Sequence, residues 1–413
     1  MKGSKLRLIG PFRQAINMDN LLAKGRLSDD QLEIIDHAGI LINGEVIEAI
    51  GAFRELKSLT SVIEPIEGDL VALPGFIDVH THMCWSGSRA MDYAMRLSGK
   101  SYLEIAQKGG GIWSTVMKTR EAKQEDLTLL TARRAEILLH QGTTSVEVKS
   151  GYGLDADTEL KILAAIHKAN DVSRADLIPT CLAAHIKPRD FEGSARDYLD
   201  YLVQELLPVV KSRTLSKRVD IYVDEGAFDK QDALHYLSAA KKLGFDLVVH
   251  ADQFSSGGAR LAVEVGALSA DHLEVITGDD IQLIADSNVI PVALPGASLG
   301  LGAGFAPARK LLDAGASLAI ASDWNPGSAP MGNLLMQAAV LGIYEKLTMA
   351  ETLAAITCRA SAALRLTDRG ILKPGMLADF IAFPCSDYRE ILYYQGGMMP
   401  EIVWKRGILV IHF

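Results

Sequence analysis

The sequence predicts a (β/α)8 TIM-type barrel with a small β-rich domain built from the N- and C-terminal segments. Three observations lead there. Eight short, continuously apolar, β-branched runs recur along the middle of the chain. Helix-like stretches separate several of them, and both ends break into short strand-like pieces with turn residues between. Alternating strand and helix implies parallel strands joined by helical crossovers, and eight such units close a barrel. Strands covered by helices need the continuous apolar character seen here.

In chain order the runs cover residues 75–80, 143–148, 176–183, 219–224, 245–250, 269–272, 289–294 and 316–322. The stretches 125–140, 157–169 and 230–243 read as crossover helices. The uncharged stretch 290–308 contains Pro291, Pro295 and Pro307. Those prolines make it a poor membrane helix, and it reads as strand plus loop. The flanks carry strand-like pieces at 39–43, 45–50, 380–383 and 402–413. The expected division is a composite small β domain from residues 1–73 and 360–413 and a barrel from residues 74–359.

Composition excludes several classes. The 413 residues are 48% hydrophobic and 23% charged, which is ordinary globular usage rather than disorder or coiled coil. The formal net charge is -9 with no basic block, so neither nucleic acid nor an anionic membrane is an expected partner. The first ten residues hold three Lys/Arg but no apolar stretch follows, which makes a poor signal peptide. Cys84, Cys181, Cys358 and Cys385 are scattered without a CxxC pair and read as reduced thiols of a cytoplasmic protein.

The chemistry-bearing residues gather at the ends of the apolar runs. His80 ends the first run and His82 lies two residues on, and residues i and i+2 of a strand point the same way. Both imidazoles therefore converge at the C-terminal end of a strand, where barrel active sites lie. Two imidazoles from one strand begin a zinc or iron site. The fifth run ends in His250 and the sixth in His272, while Asp323 directly follows the eighth and His185 follows the third. Five of the ten histidines thus sit at predicted strand ends, more than chance placement supplies; the other five fall in helices or flanks.

Pro74-Gly75-Phe76-Ile77-Asp78-Val79-His80-Thr81-His82, with His250, His272 and Asp323, resembles the amidohydrolase superfamily. Within it the sequence is most similar to the imidazolonepropionases of histidine degradation. The stretches that carry this are Gly87-Ser88-Arg89, Gly109-Gly110-Gly111-Ile112, Glu147-Val148-Lys149-Ser150-Gly151-Tyr152-Gly153, Ala184-His185, His250-Ala251-Asp252-Gln253, Ser269-Ala270-Asp271-His272-Leu273, Leu294-Pro295-Gly296 and Asp323-Trp324-Asn325-Pro326-Gly327-Ser328. The resemblance implies a homodimer acting on a small molecule. It also implies one divalent or trivalent metal ion per chain, zinc or iron, held by His80, His82, His250 and Asp323. A single ion suits a fourth run, 219–225, without a bridging lysine, although Glu225 offers a substitute.

The implied reaction is hydrolysis of 4-imidazolone-5-propanoate to N-formimidoyl-L-glutamate, with metal-activated water attacking a ring carbon. His272 is the candidate to steady or shuttle the proton, with Asp323 as ligand and proton acceptor. Gln253 is placed as a hydrogen-bonding group to the ring, because an amide is no general base. Arg89 suits the substrate's carboxylate tail with its guanidinium fork. Tyr152, His185, Asn325, Gly327 and Ser328 are further candidate substrate contacts. The glycines 109–111 read as a loop over the mouth.

Two departures from the family pattern touch the pocket rather than the metal: Ala297-Ser298-Leu299 where bulky aromatics are usual, and Ile186-Lys187-Pro188-Arg189 after His185. Two other readings stand beside the first. One is hydrolysis or deamination of another small carboxylate-bearing cyclic amide or amidine. The other is a silent barrel acting as a binding protein.

Overall fold

The computed structural model describes residues 6–100 and 102–412. A parallel eight-stranded sheet runs Phe76–Asp78, Thr143–Lys149, Asp176–Ala184, Arg218–Val223, Asp246–Ala251, Ser269–His272, Ile290–Ala293 and Ala319–Ile320, in sequential order. The last strand returns to the first. Asp323 N–H donates to His80 O and His82 N–H donates to Trp324 O, each at 3.0 Å. The molecule is therefore the expected (β/α)8 barrel, and each of the eight predicted runs overlaps one of its strands.

Crossover helices Gln124–His140, Ala156–Val172 and Lys230–Lys242 fall where apolar spacing predicted them. Asp155 and Asp229 begin two of these by accepting the N–H groups of Thr158 and Asp232, which would otherwise lack partners. The stretch after the seventh strand corrects an expectation. It forms a short helix, Pro295–Leu301, rather than a plain loop, because Pro295 at the first turn is preset for helix and needs no donor there.

A second sheet gathers both ends of the chain. Its order is Ile408–His412, Ile402–Lys405, Phe380–Phe383, Val71–Pro74, Arg7–Ile16, Ile34–Asn43 and Val46–Ala52, with Ile63–Pro65 alongside Arg7–Ile16. Phe380 stacks on Trp404 with ring centroids 4.5 Å apart, and Phe12 meets Trp404 edge-on. Partly buried ion pairs tie this sheet to the bottom of the barrel. Asp176, at the start of the third barrel strand, is bound by Lys405 and Arg369, and Lys405 also binds Asp379. Among the described residues no helix is long and apolar enough to cross a membrane.

Candidate active site

The top of the barrel holds a cavity of about 320 Å³. Its floor is built by strand ends. Gly75 lets the first strand lie against the second, since a Cβ there would sit 2.4 Å from the Thr144 side chain. Beyond that strand, His80 and His82 share one face, with Nε2 atoms 3.3 Å apart. His250 brings its Nε2 to 3.3 Å from that of His82. Asp323 Oδ1 lies 3.4 Å from His82 Nε2 and 3.6 Å from His80 Nε2. Asp323 and His272 adopt left-handed backbone angles, φ 49° and 87°, that non-glycine residues rarely hold. Such conformations concentrate where surrounding structure forces a functional side chain into place.

These four donor atoms fit a metal ion. Bonds of 2.0–2.1 Å in a tetrahedral shell put ligand atoms about 3.3 Å apart, which is the spacing seen. The rings are set up as ligands from behind. His80 Nδ1 lies 2.6 Å from Asp271 Oδ2, and His250 Nδ1 lies 3.0 Å from Asp220 Oδ2. A carboxylate on Nδ1 leaves the Nε2 lone pair for a metal. Burial keeps these imidazoles neutral: His80 and His82 fall well below the usual histidine range, and His250 falls to about 3.

His272 behaves oppositely. Burial works against its charge, but Glu274, with Oε1 3.5 Å from Nδ1, and then Asp323 and Asp271 raise its pKa. Burial pushes the Asp323 carboxyl up to about 6, against the pull of His272 and Asn325. A carboxyl group and an imidazole held together at the cavity floor can exchange protons with a substrate.

The cavity wall carries the remaining candidates. Arg89 Nε donates to Asp92 Oδ2 at 2.6 Å, which aims the guanidinium over the cavity. Gly327 permits this approach, since a Cβ there would lie 3.0 Å from Arg89 Nη1. Tyr152 is buried and stays a phenol, its pKa raised by burial. His185 stacks on His82 at 5.2 Å and is held through Nδ1 by Gly151 O. Gln253 Oε1 accepts from the Tyr222 hydroxyl at 2.8 Å. Ser328 lines the cavity as well, whereas the Asn325 carboxamide is occupied by Asp323, Gly327 and Ser328. Glycines 109–111 lead into the helix Ile112–Glu121, where Gly111 N–H donates to Asp92 Oδ2. Glu225 is exposed to solvent rather than buried beneath the histidines.

The amidohydrolase family's sequence model matches residues 107–392. The imidazolonepropionase of Solibacter usitatus is 39% identical over 382 residues, 91% of each chain. That of Herpetosiphon aurantiacus is 39% identical over 390 residues, 92% of this chain and 91% of its own. The chain belongs to the imidazolonepropionase family of amidohydrolases.

Two solved structures share the imidazolonepropionase-like fold of this chain. Atrazine chlorohydrolase TrzN from Arthrobacter aurescens, crystallised with zinc, is 18% identical with a TM-score of 0.72, covering 98% of this chain and 95% of its own. An adenosine deaminase from Xanthomonas campestris is 18% identical with a TM-score of 0.69, covering 99% and 93%. At that identity the likeness concerns the fold alone.

Sequence reasoning missed the layer beneath the imidazole cluster. Glu147, Lys149, Asp220 and Asp271 are all buried inside the barrel. The available signal was a charged residue within an otherwise apolar strand, which is almost never buried unpaired. Asp92 and Glu274, which orient Arg89 and His272, lie on a helix and a loop where no spacing marks them.

Proposed function

We propose that this hydrolase opens the ring of 4-imidazolone-5-propanoate. Water adds across the ring bond between carbonyl carbon and nitrogen: oxygen joins the carbon, the nitrogen takes a proton, and N-formimidoyl-L-glutamate results. The observation that carries the reading is one cavity whose lining joins His82, His250 and Asp323 of the four-donor cluster to Arg89. The relatives named above are imidazolonepropionases over nine-tenths of their length.

His80, His82, His250 and Asp323 would hold one zinc or iron ion per chain, since three imidazoles and a carboxylate suit either. Such an ion supplies Lewis acidity, which brings deprotonation of water into the neutral range. The chain's own residues do the rest. Arg89 and Tyr152 bind the propanoate carboxylate, a charge-assisted interaction. His185 and Gln253 orient the ring by hydrogen bonds, with Ser328 and the Gly327 backbone beside them. His272, oriented by Glu274, steadies the ring carbonyl oxygen and hands on a proton. Asp323 takes the proton that water gives up, and Asn325 holds Asp323 in place.

The enzyme is read as a cytoplasmic homodimer with no nucleic-acid partner, and residues 1–73 with 360–413 as a unit distinct from 74–359. Net charge, scattered thiols and family resemblance support these assignments. Light scattering of the purified protein tests the dimer. The decisive assay supplies imidazolonepropanoate and follows loss of its ultraviolet absorbance, alongside elemental analysis for zinc and iron. No turnover by metal-loaded protein would refute the assignment and return the reading to another carboxylate-bearing cyclic amide.

A further inference from the structure

Beneath the imidazole cluster lies a closed set of charges. Lys149 Nζ is 2.8 Å from Asp220 Oδ2, 2.9 Å from Glu147 Oε1 and 3.8 Å from Asp271 Oδ2. All four side chains are at most 2% exposed. Lys149 stands on the second strand, Asp220 on the fourth and Asp271 on the sixth. Alternate strands of a barrel fill one interior layer, normally with branched apolar residues. Here that layer is ionic, and Lys149 is the one cation reaching all three carboxylates among the described residues.

Two of those carboxylates face the imidazoles. Asp220 Oδ2, which faces His250 Nδ1, is the atom nearest Lys149, and Asp271 Oδ2, which faces His80 Nδ1, is the atom within 4 Å of it. One ammonium therefore braces the supports of two rings that approach from different strands. We propose that Lys149 is a positioning residue for the metal centre: it fixes Asp220 and Asp271, and through them aims His250 and His80 at one point before any ion arrives. This rests on the reading of His80, His82, His250 and Asp323 as metal ligands. Without the ammonium, Asp220 and Asp271 lose the buried partner that holds them beside the rings.

The test measures metal binding rather than turnover. Wild-type, Lys149→Met and Lys149→Gln proteins are stripped, checked for fold by circular dichroism and titrated with cobalt(II) against a chelator. Folded variants are expected to bind cobalt 10–100-fold more weakly, the usual cost of losing an outer-shell support, with an altered visible spectrum. Folded variants with wild-type affinity and spectrum would overturn the proposal while leaving the metal reading intact. A wild-type protein that takes up no cobalt would remove both. Should neither variant fold, nitrogen-15 spectra of stripped wild-type protein decide. Expected are a slowly exchanging ammonium assigned to Lys149 and Nδ1–H tautomers of His80 and His250; a freely exchanging Lys149 ammonium or mixed tautomers would overturn it.

Discussion

Asn325 Nδ2 donates to Asp323 Oδ2 at 2.9 Å, while Asn325 Oδ1 accepts the backbone N–H groups of Gly327 and Ser328 at 2.7 and 2.8 Å. One carboxamide thus holds the eighth-strand carboxylate in its left-handed backbone position and shapes the loop beside it. Asn325→Ala leaves a buried carboxylate oxygen without its donor. A charge-assisted hydrogen bond contributes about 1.5–3 kcal/mol, so kcat is expected to fall roughly 10–100-fold, with KM nearly unchanged. Steady-state kinetics on metal-replete variant reads the split, and a rise in KM alone would place Asn325 among the binding groups.

Arg89 predicts the opposite split. Its Nε is engaged by Asp92, leaving the terminal nitrogens to meet a carboxylate. Arg89→Ala should raise KM for imidazolonepropanoate roughly 10–100-fold while kcat changes far less. An unchanged KM would mean that the propanoate binds elsewhere.

Metal removal should abolish turnover without unfolding the chain, because the barrel buries its own apolar core around the site. Dialysis against a chelator is expected to leave circular dichroism intact and activity at background. Zinc or ferrous iron should restore it, and retention of activity at zero metal would contradict the ligand assignment.

Asp176 links stability to pH. Burial opposes its charge, but Lys405 and Arg369 hold its carboxyl down to about 2. Its unfolded value is about 4. Being depressed on folding, it stabilises the protein above about pH 4, and that contribution is lost as pH falls towards 2. Asp176→Asn lacks it at every pH. The melting-temperature gap between wild type and variant should be constant from pH 7 to 5 and narrow below pH 4; a gap that widens in acid would show the sign to be reversed.

Much of this was readable from local pattern. The apolar runs place all eight barrel strands, and the two-residue spacing of His80 and His82 puts both rings on one face. His250 and His272 announce themselves by ending such runs, and Asp323 by directly following one. The helix Pro295–Leu301 did not, because its prolines and glycines signal loop as strongly as a helix start. Asp92 was equally silent, since its importance comes from touching Arg89 and Gly111 rather than from any periodicity.

The order of residues alone determined which side chains reach the barrel mouth, since strand alternation and the run–helix rhythm are properties of neighbours along the chain. Tertiary structure alone decided how those side chains are aimed and charged. Lys149 meets Asp220 and Asp271, and His80 meets Asp271, across 71, 122 and 191 positions of sequence. Separations of that size encode no periodic signal, and the energy of a buried charge depends on what the fold brings within a few ångströms of it.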